Sequence, residues 1–247
     1  MANDILVVKV GTSTLLGSHE EPSRTFEYVA NSVIDLSSQY RIVLVTSGAI
    51  GFGVTQLGLS GRPHEIRKLQ ALSMIGQVGL LRKWREAFDG VTTGQVLVTR
   101  NELRDETTGL AFRESIEQVW EYGAIPIVNE NDAVSNEEIS FGDNDRLAAE
   151  VAISLKAKSL VMLTDQNGIQ AGFGTDSQYR LEVVSIDDVS THILPSKSVM
   201  GKGGASSKVI AASLAVNSGI DVFIAHAAER GAVEEALSGK MGTKIVQ

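Results

Sequence analysis

The apolar runs ILVVKV (5–10), RIVLVT (41–46), QVLVT (95–99), AIPIVN (124–129), SLVMLT (159–164) and DVFIA (221–225) are short and rich in β-branched residues. None alternates strictly, which is how strands buried on both faces of a parallel sheet read. Helical spacing lies between them. Phe26, Val29, Val33 and Leu36 share one face; LQALSMIGQVGLLRKW predicts a helix over 69–84, and an alanine-rich run another from Leu147 to Leu155. A last one follows from Ser206 to Asn217. Strands alternating with helices predict βαβ units with right-handed crossovers: an α/β fold, a three-layer αβα sandwich around a mainly parallel sheet. The stretch QNGIQAGFGTDSQYR (166–180) has no apolar period and predicts a long loop or a short hairpin. No repeat, low-complexity linker or break in composition divides the chain, so one domain over 1–247 is expected.

Composition narrows the classes. Of 247 residues, 43% are hydrophobic and 21% charged, and the mean hydropathy is +0.05, an ordinary globular balance. The net charge of −8 argues against bulk attraction to nucleic acid or to an anionic membrane, though a local basic pocket needs only a few residues. With no cysteine, disulfides, thiolate nucleophiles and zinc–thiolate sites are excluded. The start MANDILVVKVG carries an acid where a leader would be basic, and no window approaches ~20 uninterrupted apolar residues. A cytoplasmic protein with no membrane partner is expected.

Candidate chemistry gathers where strands end. Lys9 lies inside the first strand, where an ammonium is costly unless it faces an anion or a carboxylate; a lysine snorkelling from an edge strand is the competing view. Gly11 follows and lets backbone N–H groups approach an oxyanion. The second strand ends in VTSGAIGFG (45–53), where Ser47, Gly48 and Ala49 form either a second nest for negative charge or a tight turn. It lacks GxGxxG spacing. NENDAV (129–134) supplies Asn129, Asn131 and Asp132, and GDND (142–145) supplies Asp143, Asn144 and Asp145. These acceptors and amides suit a zwitterionic amino acid, while a divalent cation or two capped surface turns are the alternatives. Thr164 and Asp165 in LTDQNG fall where a nucleotide could rest, or form a simple Asp turn. MGKGGASSKV (200–209) offers a glycine loop with Lys202 and Lys208, without Walker A spacing. Two lysines, glycine turns and no cofactor fingerprint point to phosphoryl transfer by positioning and charge.

VVKVGTSTL, VTSGAIGFG, GQVLVTR, IPIVNENDAV, FGDNDRLAAEVA, LTDQNG and GKGGASSK occur in the order and spacing of the amino acid kinase family. Within it the chain most resembles the glutamate 5-kinase branch, which phosphorylates the glutamate γ-carboxylate at the start of proline synthesis. The resemblance implies ATP with its Mg²⁺ as phosphoryl donor and no separate metal site. Lys9 and Lys208 would flank the moving phosphoryl group, Lys9 toward the acceptor. Asp145 would hold both, supported by Asp143, because two ammonium groups a few ångströms apart repel by roughly 4 kcal/mol at intermediate dielectric. Glutamate would meet Ser47, Asp132 and Asn144, with Gly11 and the turn of Ser47, Gly48 and Ala49 donating N–H groups to phosphoryl oxygens. ATP would lie against Lys9, Thr164, Asp165 and the loop of Lys202, Gly203, Gly204, Ala205, Ser206, Ser207 and Lys208. Residues up to about 155 would form the acceptor side and 156–247 the nucleotide side.

The match is not uniform. Relatives read close to GTGGMxTK in the nucleotide loop, where this chain has Lys202, Ala205 and Ser207, and YTADPR-like after LTDQNG, where it has IQAGFGTDS. Adenine contacts are therefore not carried over to that segment. The C-terminal PUA domain of many bacterial members is expected to be absent, since the chain stops at Gln247. Proline feedback inhibition and a dimer or tetramer are implied by resemblance alone. A sister kinase with another acceptor and a non-catalytic amino-acid sensor on the same scaffold remain alternatives.

Overall fold

The computed structural model describes residues 4–17, 22–135, 144–172, 177–192, 205–227 and 230–247. Its strands are β1 (Ile5–Val10), β2 (Arg41–Val45), β3 (Thr93–Val98), β4 (Ile125–Glu130), β5 (Ser159–Thr164), β6 (Gln170–Ala171), β7 (Tyr179–Arg180), β8 (Val183–Ser185), β9 (Asp221–His226) and β10 (Thr243–Val246). The helices are α1 (Thr12–Leu16), α2 (Pro22–Leu36), α3 (Ala49–Gln56), α4 (Ile66–Ala87), α5 (Arg100–Arg104), α6 (Glu106–Glu121), α7 (Asp145–Ser154), α8 (Ile186–His192), α9 (Ala205–Asn217) and α10 (Ala232–Leu237). Among these, no helix is long and apolar enough to cross a membrane.

Eight strands form one sheet in the order β3-β4-β2-β1-β5-β9-β10-β8. It is parallel through β9; β10 runs antiparallel to β9, and β8 runs with β10. The six strands read from the apolar runs are all present, within two residues at each end. The short strands β8 and β10 were not expected. The segment 166–180 contains the antiparallel pair β6–β7.

Alternation along the strands builds the two outer layers. Val7, Val43, Val45, Leu160, Met162, Val222 and Ile224 point to one face, where α5 to α9 pack on them through Leu103, Ile116, Leu147, Val189 and Ala212. Leu6, Val8, Val10, Leu44, Val161, Leu163 and Phe223 point to the other, against Leu15 of α1, Phe26 and Val33 of α2, Leu80 and Trp84 of α4 and Val233 of α10. Burial on both faces explains why these strands lack a polar alternate. The period of 2 also aims Lys9. It shares the parity of Val7, so its side chain enters the layer of α7 and α9.

β1 is the switch point of the sheet. The chain next builds β2 on one side of it, then β5 and β9 on the other, so a crevice opens at the carboxyl end of β1. The ends of β2 and β4 border that crevice on one side and the end of β5 on the other.

Candidate active site

Lys9 has no exposed surface and sits in a central strand, which removes the edge-strand view. Its Nζ donates to Asp145 Oδ1 at 2.5 Å. Asp145, likewise without exposed surface, is the first residue of α7, and its other oxygen accepts from Lys208 Nζ at 3.1 Å and from the Ser207 hydroxyl at 2.8 Å. One carboxylate thus bridges two ammonium groups brought from β1 and from the first turn of α9. Lys208 keeps 21% of its side-chain surface exposed, so the bridge is dry at one end and open at the other. The three side chains carry one net positive charge in a chain of net charge −8.

Helix capping does not account for the amide directly before α7. Asn144 is the N-cap residue, yet its side chain makes no cap bond. Its Nδ2 instead donates to Thr46 O at 2.6 Å and to Asn129 Oδ1 at 2.5 Å. Asn129 Oδ1 also accepts from Glu130 N at 3.0 Å, and Asn129 Nδ2 donates to Gln77 Oε1 at 2.7 Å. A backbone carbonyl can only accept and a backbone N–H can only donate, so Thr46 and Glu130 fix the direction of both amides. Both Nδ2 hydrogens of Asn144 are committed, and among the described residues its Oδ1 is left to meet a donor.

Gly48 has φ +109°, a conformation glycine adopts freely, and turns the chain from β2 into α3. Ser47 and Ala49 flank it, both buried. Ser47 Oγ and Thr14 Oγ1 are buried without a hydrogen-bond partner among the described residues. Such hydroxyls are expensive unless something polar meets them. A Cβ built on Gly11 would lie 3.5 Å from both Lys9 Nζ and Thr14 Oγ1, so glycine keeps the space beside the ammonium clear. These orphaned hydroxyls and the net positive bridge fit an anionic, oxygen-rich ligand such as a nucleotide phosphate.

Asp132 is half-buried in the turn after β4. It faces Arg62 from the α3–α4 connection: burial lowers the Arg62 pKa, and the Asp132 charge opposes that shift. Thr164 accepts from Gln166 N at 2.8 Å through its hydroxyl, closing the turn after β5, while Asp165 beside it is exposed. Asp143, Lys202, Gly203 and Gly204 lie outside the described residues, as do the side chains of Ala205 and Ser206. The structure therefore brings together Lys9, Asp145, Ser207 and Lys208, with Gly11 beside Lys9 and Asn144 beside Asp145. Thr164 and Asp165 sit one strand away.

Sequence reasoning missed Thr14, Thr46, Gln77, Trp84 and Arg62. Gln77 falls within a predicted helix whose polar residues look like solvent-facing ones, and its bond to Asn129 at the end of β4 is what turns it inward.

Comparison with known proteins gives the family. The family model described as "Amino acid kinase family" matches residues 4–226. Glutamate 5-kinase of Serratia proteamaculans (strain 568) is 39% identical over 249 residues, covering 97% of this chain and 68% of its own. That of Acinetobacter baumannii (strain ATCC 17978) is 35% identical over 243 residues, covering 96% and 64%. This chain thus spans about two thirds of the length of these curated relatives. Among solved structures, carbamate kinase from Giardia lamblia bound to AMP-PNP superposes with a TM-score of 0.68 at 15% identity, over 99% of both chains. N-acetylglutamate synthase from Neisseria gonorrhoeae gives 0.69 at 20% identity, over 100% of this chain and 62% of that one. At such identities the structures speak for the fold alone. The family match over residues 4–226 and relatives at 35–39% identity lead to one conclusion: the chain belongs to the amino acid kinase family.

Proposed function

We propose that this chain transfers the γ-phosphoryl group of Mg²⁺-bound ATP to the γ-carboxylate of L-glutamate, giving L-glutamyl 5-phosphate and ADP, the step that opens proline synthesis. The observation that carries the proposal is the Asp145 carboxylate held between Lys9 and Lys208. A second support is the name borne by relatives at 35–39% identity.

The chemistry asks little of the protein beyond charge and position. At neutral pH the acceptor carboxylate is already ionised, so no general base is needed. A γ-carboxylate oxygen forms the new bond to the γ-phosphorus; the bond to the β,γ-bridging oxygen breaks, and ADP leaves with that electron pair. The obstacle is electrostatic, since one anion must approach another. Lys9, on the acceptor side, and Lys208, on the nucleotide side, offset that repulsion, and Asp145 offsets theirs. Mg²⁺ carried by the nucleotide would lower the phosphate charge further. Gly11 and the Ser47–Ala49 turn offer N–H groups to phosphoryl oxygens, and Ser47 Oγ offers a hydroxyl. Asn144 Oδ1 and the Asp132 carboxylate take the α-ammonium of glutamate, with Arg62 setting how much of the Asp132 charge remains for it. Nucleotide contacts extend to Thr164, Asp165 and residues 202–208, with Asp143 supporting the bridge. Proline shares the α-amino and α-carboxylate groups, so it would compete for the same acceptors.

An acceptor panel with hydroxylamine tests the function. Hydroxylamine converts an acyl phosphate to a hydroxamate, so colour dependent on both ATP and glutamate is expected. Aspartate, with a carboxylate one methylene short, and N-acetylglutamate, without the ammonium, should give little. A folded chain that yields no hydroxamate with glutamate but does so with N-acetylglutamate would replace glutamate as the acceptor.

A further inference from the structure

Three residues of α4, Gln70, Gln77 and Trp84, are seven positions apart, which puts them on one face of a helix. Each grips a different segment around the acceptor side. Gln70 Nε2 donates to Ser135 O at 3.3 Å, at the far end of the turn that carries Asp132. Gln77 Oε1 accepts from Asn129 Nδ2 at 2.7 Å, at the end of β4. Trp84 Nε1 donates to Thr46 Oγ1 at 2.8 Å, at the end of β2. The latter two contacts converge on Asn144, which donates to both Asn129 Oδ1 and Thr46 O.

We propose that Gln77 is a positioning residue for the acceptor amino acid: its side-chain oxygen completes the amide relay Asn144–Asn129–Gln77, which holds Asn144 with Oδ1 toward the substrate ammonium. The proposal rests on the glutamate kinase function proposed above. Its requirement is specific, because position 77 must supply an acceptor. With an apolar group there, Asn129 Nδ2 loses its bond to α4, and Asn129 gains freedom to rotate away from Asn144. With a donor-only group there, Asn129 would have to turn its oxygen toward α4, setting Nδ2 against the Glu130 N–H and the Asn144 amide. None of this touches Lys9, Asp145 or Lys208, so the effect belongs to acceptor binding and not to transfer.

Steady-state kinetics of the full chain with Mg²⁺ and ATP, with glutamate and ATP varied separately, tests this on Gln77→Met, Gln77→Glu, Gln77→Lys and Asn144→Ala. One uncharged hydrogen bond is worth about tenfold in an equilibrium. Gln77→Met is therefore expected to raise KM for glutamate by about tenfold, with kcat and KM for ATP within about twofold. Gln77→Glu keeps an acceptor and should recover most of the loss, while Gln77→Lys should be the most impaired. Asn144→Ala raising KM for glutamate while Gln77→Met leaves it unchanged would overturn the relay and leave the function intact. A Gln77→Glu chain as impaired as Gln77→Met, or parallel losses in kcat and in both KM values, would reduce Gln77 to ordinary packing and overturn it as well. No turnover of glutamate by the unsubstituted chain, or an unchanged KM in Asn144→Ala, would remove the relay together with its premise.

Discussion

At the scale of single residues, everything turns on where Asp145 puts its two oxygens. A fully buried lysine and a fully buried carboxylate stabilise each other only as a pair, and removing one partner leaves an uncompensated charge in the core. Asp145→Ala should therefore lower stability by about 3–5 kcal/mol in denaturant unfolding, besides abolishing turnover. Lys208 is different, because its head is partly in solvent. Lys208→Ala should leave the unfolding midpoint nearly unchanged while reducing kcat by about 10²–10³-fold, the usual cost of one group that stabilises developing charge. Equal stability losses in both variants would mean that the second lysine is a structural partner only. Asp145 stands out in the chain because three polar residues in a row, 143–145, exceed what a helix cap requires. Ser207, expected on the nucleotide side, donates its hydroxyl to Asp145; sequence names a loop residue but not the direction of its hydroxyl.

At the scale of elements, α3 and α4 show what packing adds to the sequence. AIGFGVTQ carries two glycines, and glycine weakens a helix interior. Packing reverses that preference. A Cβ on Gly76 would fall 1.9 Å from Ala49 O and 2.3 Å from Gly53 N, and one on Gly53 would fall 2.1 Å from Leu72 O. The two helices touch backbone to backbone, and only glycine permits it. Because α3 begins directly after Ser47 and Gly48, this contact also sets the turn at the end of β2. Gly76→Ala should destabilise the chain by about 1–3 kcal/mol and raise KM for glutamate, whereas Gly90→Ala, with nothing within 4 Å, strains its own positive φ without moving the site. Strand β10 stayed hidden because it has four residues, and its alternate side chains are half-buried, too little pattern to separate from a loop. Helix α6 has only Gly109, Phe112 and Ile116 buried, a stripe too narrow to stand out. Its start carries a pH signature. Asp105 accepts from Thr108 and Thr107 N–H groups, the Thr108 bonds foremost, and these lower its pKa. The folded value lies below the unfolded one, so this stabilisation is present above the ordinary carboxylate range and is lost as pH falls through the lowered value. Asp105→Asn should accordingly lower the thermal midpoint at pH 7, and the difference from the unsubstituted chain should shrink on acidification toward pH ~3.

At the scale of the molecule, the sheet order explains how residues from positions 9, 145 and 208 meet. β1 lies between β2 and β5, and strand parity sends Lys9 into the layer where α7 and α9 start. Sequence reading reached this architecture because two-faced strands are hard to mistake when they alternate with long amphipathic helices. It could not reach the amide relay, which depends on a register between α4 and two strand ends. Ligands that bind only the folded chain should raise its thermal midpoint, by an amount equivalent to about 2.7 kcal/mol at one hundred times Kd. Glutamate and Mg²⁺-bound ATP should each do so; Asn144→Ala should lose the glutamate shift and keep the nucleotide shift. Loss of both would place Asn144 in the general stability of the fold.

The most direct measurement is single-turnover transfer with enzyme in excess over Mg²⁺-bound ATP, glutamate saturating, and glutamyl hydroxamate followed in time for the unsubstituted chain and for Asp145→Asn. A bridging carboxylate that gathers two lysines around the phosphoryl group predicts rapid transfer in the first and a rate lower by about 10²–10³-fold in the second, with both substrates still bound. Equal transfer rates in the two proteins would contradict it.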